Sequence, residues 1–193
     1  LQISSKGIEL IRKFEGLRLV AYKAVSSELY YTIGYGHYGS DVHEGMVITE
    51  NEADHLLMGD ILKHEFYVNS PNYCEVIGQI NQNQFDALVS FCFNCGPANL
   101  IKLTFGKSLK QIEEDIILYN KANGKVLEGL IRRRKAEQEL FRSKDVLEVD
   151  DKVTDFIIAV LQDYWKRMDG NKEVQDYTHY VAEELRKATG RKE

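Results

Sequence analysis

The stretch Phe14-Glu15-Gly16, followed by Tyr30-Tyr31-Thr32-Ile33-Gly34-Tyr35-Gly36-His37, decides the reading of this chain. It sets an acid at a helix end beside an aromatic, glycine-rich pair of strands. The preceding Ser5-Lys6-Gly7-Ile8-Glu9-Leu10-Ile11-Arg12-Lys13-Phe14 has helical spacing. Ile8, Leu10, Ile11 and Phe14 form its apolar face, and Ser4 or Ser5 stands where a cap is needed. Gly16 suits the C-terminal cap, because glycine takes positive φ without strain. Glu15 then meets the negative end of the helix dipole, where a carboxylate is disfavoured, and apolar neighbours desolvate it further. Both effects favour the protonated form that a general acid needs. The same local pattern also fits a surface glutamate before a stop glycine.

The sequence around this stretch separates the two readings. Ile8 to Tyr22 and Thr32 to His37 are followed by Ile48-Thr49-Glu50-Asn51-Glu52-Ala53 and by Asn81-Gln82-Asn83-Gln84-Phe85-Asp86-Ala87-Leu88-Val89-Ser90-Phe91. Tyr119-Asn120-Lys121-Ala122, then Gly129-Leu130-Ile131-Arg132-Arg133-Arg134-Lys135-Ala136-Glu137 and Leu140-Phe141 complete the series. In this order the blocks resemble phage-type lysozymes, glycoside hydrolase family 24. The match is similar to lysozymes of phages that infect Gram-positive bacteria, and it covers roughly residues 3 to 142. The resemblance implies a two-lobed, mostly helical α+β fold with a small antiparallel sheet and a helical lobe. It implies hydrolysis of the β-1,4 bond between N-acetylmuramic acid and N-acetylglucosamine in peptidoglycan, with no cofactor and no metal.

By that resemblance Glu15 is the catalytic acid and Thr32 helps hold the attacking water. Tyr35, Gly36 and His37 line the cleft. Arg133 reaches Glu15 across it, as a guanidinium suits a carboxylate, and opposes the helix-end effect. Arg132 and Arg134, turned to other sides of the helix, are read as solvated or as lobe-packing ion pairs. Family members are usually described as inverting, which separates two working carboxyl groups by roughly 6.5–9.5 Å. The family also has an aspartate nine residues after the acid, and here that position is Ala24. The loop before Thr32 is longer and carries Glu28. Either Glu28 fills the role from that loop, or Thr32 holds the water without it. Asp41 is a third candidate, with a turn residue as its plainer reading. The missing carboxylate supports an alternative function, a non-catalytic wall-binding or structural module on the same fold.

Composition narrows the field further. The chain has 193 residues and a formal net charge of -5, which argues against a nucleic-acid role. From Asp145 onward there are 12 acids against 8 bases, and before it 18 against 17. The surplus negative charge therefore belongs to the C-terminal segment. Three cysteines, Cys74, Cys92 and Cys95, do not make a disulfide framework and read as small core residues. No charged-then-apolar leader opens the sequence, and no run approaches about 18 apolar residues. The expectation is no membrane insertion, and residence in the host cytoplasm until a separate pore-forming protein releases the chain to the wall, or carriage in the virion.

The expected organisation is a catalytic domain over 1–144 and a helical hairpin over 145–193. Leu17–Ala24 and Tyr30–Tyr38 read as strands. Thr49 with Glu52 opens a long helix to about Tyr67, with Ala53, Leu56, Leu57, Ile61 and Phe66 as its apolar positions. Further helices are expected over Asn81–Asn94, Ala98–Leu103 and Leu109–Tyr119, with a loop over Asn120–Gly124 and an arginine-rich helix from Gly129. In the hairpin, Val153, Phe156, Ile157, Val160, Leu161, Tyr164 and Met168 follow the helical period, and Asp169-Gly170-Asn171 breaks it. Val174, Tyr177, Val181, Leu185 and Ala188 give a second helix to about Thr189. Because two such helices rarely stand alone, their apolar faces are expected to pack on the lobes or to form a homodimer. Trp165, Tyr164, Tyr177 and Tyr180 read as core aromatics, with sugar stacking as the alternative.

Overall fold

The computed structural model describes residues 1–143, 151–167 and 171–189. Met168, Asp169, Gly170 and the segment 144–150 lie outside the described residues. The chain divides into two compact units, Leu1–Ser143 and Lys144–Glu193.

The first unit is mostly helical. Helix α1 (Ser5–Glu15) ends at Gly16, whose φ of 72° is a conformation that suits glycine. Ser4 stands at the N-cap but makes no capping bond. Its hydroxyl instead donates to the buried Asp86, which also accepts from the Ser4 amide at 2.9 Å. Strands β1 (Arg18–Tyr22), β2 (Tyr31–Gly34) and β3 (His37–Gly39) form one antiparallel sheet in sequence order. The expected single strand over Tyr30–Tyr38 is thus two, folded at Tyr35-Gly36 into a hairpin that pairs Ile33 with His37. Ile33, Val42, Ile48 and Ala53 are the core of this small lobe.

Helix α2 (Glu50–Asn69) begins with the capping box that Thr49 and Glu52 announce. At 20 residues it is about 30 Å long. Ala53 belongs to the small-lobe core, while Leu57, Ile61 and Val68 belong to the larger one. Phe66, expected on its apolar face, is exposed, and the buried positions of that turn are Glu65 and Val68. Glu65 is held inside by accepting the Ile3 amide at 2.5 Å.

The helical lobe contains α3 (Gln82–Cys95), α4 (Pro97–Thr104), α5 (Leu109–Asp115) continuing into a 3₁₀ turn at Ile116–Leu118, and α6 (Glu128–Arg142). Asn81 with Gln84 and Ser108 with Gln111 make two more capping boxes. The expected loop after Tyr119 holds a small hairpin, β4 (Lys121–Ala122) and β5 (Lys125–Val126). α3 is buried along nearly its whole length, with Phe85, Leu88, Phe91 and Cys92 at 0% exposure. Burial pushes the thiol of Cys92 to about 12 and that of Cys74 to about 11, so both are inert core residues.

The second unit pairs α7 (Asp151–Arg167) with α8 (Lys172–Ala188). Among its described residues the buried positions are the small residues Thr154, Thr178 and Ala182. The apolar stripe Val153, Phe156, Ile157, Val160 and Tyr164 is exposed, as are Trp165, Tyr177 and Tyr180. These aromatics are therefore not core within the second unit itself. Two helices offer each other only one contact line, and small side chains occupy it.

Candidate active site

Three elements converge on Glu15. It is the last residue of α1, and its side chain is 20% exposed. From α6, Arg133 Nη1 donates to Glu15 Oε1 at 2.5 Å. From the β2–β3 turn, Gly36 lies against the other oxygen. A Cβ built on Gly36 would sit 3.5 Å from Glu15 Oε2, and φ at Gly36 is +88°. The positive φ is what favours glycine there, and a Cβ would meet the acid only at ordinary contact distance. One carboxyl oxygen is thus pinned, and the other points past a residue with no side chain.

Arg133 is itself held from behind. It is 3% exposed. Its Nε donates to Glu137 Oε1 at 3.1 Å and its Nη2 to the Ser90 carbonyl at 3.3 Å. The ring of Phe14 lies 5.8 Å from its guanidinium carbon. Glu137 is fully buried and also takes Arg134 Nη2 at 3.0 Å and the Ser90 hydroxyl at 2.8 Å. Arg134 Nε completes an ion pair with Glu137 Oε2 at 2.8 Å. Burial pushes the Glu137 carboxyl up, and the charges of Arg134 and Arg133 pull it back. Arg134 is not solvated but fully buried, reaching Asn94 at 3.0 Å and the Cys95 thiol. Of the two readings for Arg134, the packing ion pair holds. Glu137 and Ser90 were not singled out from sequence.

The other named residues divide. Thr32 lies on β2 opposite Tyr38 and Tyr22. Tyr35 packs against both cores, with the Arg12 guanidinium carbon 5.8 Å from its ring. Glu28 does not extend freely from its loop. Its Oε2 accepts the backbone N–H of Ala24 at 3.0 Å, and Lys23 Nζ donates to its carbonyl at 2.7 Å. A carboxylate is therefore carried back to Ala24, the position where the resemblance leaves a gap.

His37 is a strut. Its Nδ1 lies 2.7 Å from Asp60 Oδ2 on α2 and its Nε2 lies 3.0 Å from Asp41 Oδ2. Asp41 is thereby engaged by His37 through one carboxyl oxygen. Lys63 donates to Asp60 at 2.8 Å, and the His64 ring bonds the Asp60 carbonyl. Burial lowers the pKa of His37, but the hydrogen bonds and charges of Asp60 and Asp41 together outweigh it, so the net shift is upward from 6.5. A raised folded value stabilises fully below the unfolded value and is lost as pH rises through the folded one. Asp41 is held below its ordinary 3.8, chiefly by His37, so its share is present above that value and lost as pH falls through the folded one. His37→Gln is therefore expected to lower the melting temperature more at about pH 5.5 than at about pH 8.5. An equal loss at both would show that the charged form of His37 contributes nothing.

A lysozyme-like arrangement of a small sheet, a joining helix and a helical lobe thus places one acid between a glycine turn and a buried arginine. A family profile described as Phage lysozyme matches residues 12–137, and the chain belongs to that family. It is 44% identical over 146 residues to the endolysin of Bacillus phage B103, covering 73% of this chain and 54% of that protein. The chain spans about half the length of the Bacillus phage endolysins it matches. It is 37% identical to the endolysin of Salmonella phage P22, covering 74% of this chain and 99% of that one. Among solved structures, the muramidase domain of SpmX from Asticaccaulis excentricus aligns with a TM-score of 0.64 and 37% identity, over 74% of this chain and 99% of that domain.

Proposed function

We propose that this chain is a peptidoglycan hydrolase that cleaves the β-1,4 bond between N-acetylmuramic acid and N-acetylglucosamine. The observation that carries the reading is the Glu15 carboxyl, with Oε1 held by Arg133 and Oε2 beside Gly36. Glu15 protonates the leaving oxygen through the free side of its carboxyl. A water held by Thr32 attacks the anomeric carbon from the opposite face, with Glu28 as its base. The bond from Ala24 to Glu28 supports that assignment, because it returns a carboxylate to the vacant position. Tyr35, Gly36 and His37 shape the wall of the cleft.

Digestion of purified cell wall, with reducing ends and free amines measured separately, tests the reaction. Reducing ends support a glycosidase. Amines point to an amidase or peptidase, and neither product points to a binding module. In the same assay Thr32→Ala is expected to lose most activity. Glu28→Gln is expected to lose about 10²-fold, in the range for a general base. Near-normal turnover by Glu28→Gln removes Glu28 from the mechanism. Retained anomeric configuration contradicts the inverting course.

The reading places the site of action at the cell wall, reached from the host cytoplasm through a hole made by another protein. No helix among the described residues is long and apolar enough to cross a membrane. For residues 145–193 the proposal is pairing with a second copy through the exposed stripe of α7, since an apolar face of this kind marks an interaction site. Light scattering that gives a single-chain mass at all concentrations rejects that pairing.

A further inference from the structure

We propose that Lys13 and Arg132 form a cationic clamp that reads the free carboxylates of the peptide stems on the glycan strand. The inference rests on the hydrolase reading above and adds to it a determinant of substrate choice.

A cavity of about 520 Å³ opens beside the acid, with Glu15 and Arg133 in its wall. Lys13 contributes to it from the last turn of α1, and Arg132 from α6. Phe14 and Leu127 add apolar surface between them. Each cation is tied closely to the catalytic pair, Lys13 two residues before Glu15 and Arg132 one residue before Arg133. Both side chains are exposed, and neither has a carboxylate partner among the described residues. Lys13 only lies over Phe14, its Nζ 5.7 Å from the ring centroid. The neighbouring Arg133 and Arg134, by contrast, both pair with Glu137, and Arg133 also pairs with Glu15. Two uncompensated cations at one pocket stand out in a chain of net charge -5.

The chemistry of the substrate says what they would meet. N-acetylated sugars carry no charge, so the glycan backbone offers these cations no ionic partner. Each muramic acid, however, bears a lactyl-linked peptide with free carboxylates. A strand seated with its scissile oxygen at Glu15 brings such a stem next to the cavity. Phe14 and Leu127 suit the small apolar side chains of a stem, and Lys13 and Arg132 suit its carboxylates.

The test uses the full chain and the Lys13→Gln/Arg132→Gln variant on soluble wall fragments. One batch is native, a second has its carboxylates capped as methylamides, and a third is stripped of phosphate polymers. On native fragments the variant is expected to lose about tenfold in kcat/KM, mostly through KM, as two solvent-exposed ion pairs allow. Capping is expected to cost the unaltered chain the same factor and to close the gap between the two proteins. Stripping phosphate is expected to change neither. An equal loss by the variant on native and capped fragments, or no loss on either, overturns the proposal. A loss that follows phosphate removal overturns it in favour of a phosphate polymer. Co-sedimentation of both proteins with native and capped wall reads the clamp without turnover. A chain that releases no reducing ends but still binds native wall better than capped wall, through Lys13 and Arg132, loses the hydrolase reading and keeps the clamp.

Discussion

Glu15→Gln is expected to abolish wall hydrolysis while leaving the fold nearly intact. Glutamine keeps the shape and one carbonyl oxygen for Arg133 but has no acidic proton to give. General acid–base groups contribute about 10²–10⁴ in rate, so residual turnover should fall within that range below the parent. The stability cost is small because Arg133 keeps Glu137 and the Ser90 carbonyl as partners. Reducing-end release and thermal melting, measured side by side, separate chemistry from folding. A well-folded variant that retains more than about a tenth of the parent rate shows that Glu15 is not the acid.

The largest expected effect on stability comes from a residue that touches no substrate. Glu137→Gln removes the one carboxylate that both Arg133 and Arg134 contact, at 0% exposure. Breaking a buried charge pair by removing one partner costs about 3–5 kcal/mol. For a chain of this size that corresponds to a melting temperature lower by about 6–20 °C. Activity should fall as well, because Arg133 loses the contact that aims it at Glu15. Arg132→Gln, one residue away but exposed, is expected to leave the melting temperature nearly unchanged. If Glu137→Gln melts within about 2 °C of the parent, the buried carboxylate is not what holds the arginines.

Glu15 and Glu137 differ in how legible their surroundings are in the sequence. Local signals carried the frame. Thr49 with Glu52 marked the start of α2, Asn94 to Pro97 marked the end of α3, and Gly16 marked the turn after the acid. Each depends on a few neighbouring residues, so each is written in a short window. Glu15, Thr32 and Arg133 came from a resemblance spread over several such windows. Glu137 was missed because a glutamate four residues after an arginine is the ordinary pattern of an exposed helical pair. Only the tertiary contact of α6 with α3 turns that pair inward. The one available signal was Phe141, which shares the helix face of Glu137 and Arg134 and is also buried. The hairpin at Lys121–Val126 is too short to show alternation, and Phe66 has helical spacing on α2 yet faces solvent. The carboxylate of Glu28 was legible as a candidate but not as a loop residue folded back on Ala24, since that bond depends on the course of a longer loop.

The contact between Glu15 and Arg133 spans 118 residues of chain. The acid is synthesised well before its partner. At about 5–20 residues per second, translation takes roughly 6–24 s to cover that interval. Until α3 follows, α1 is an isolated helix of 11 residues, which is marginal in water, and until α6 follows Glu15 lacks Arg133. A truncated translation product that stops before α6 therefore has the acid, the glycine turn and the threonine but no assembled centre. The order of synthesis makes the contact of Glu15 with Arg133 a property of the finished first unit, because its two halves come from opposite ends of that unit.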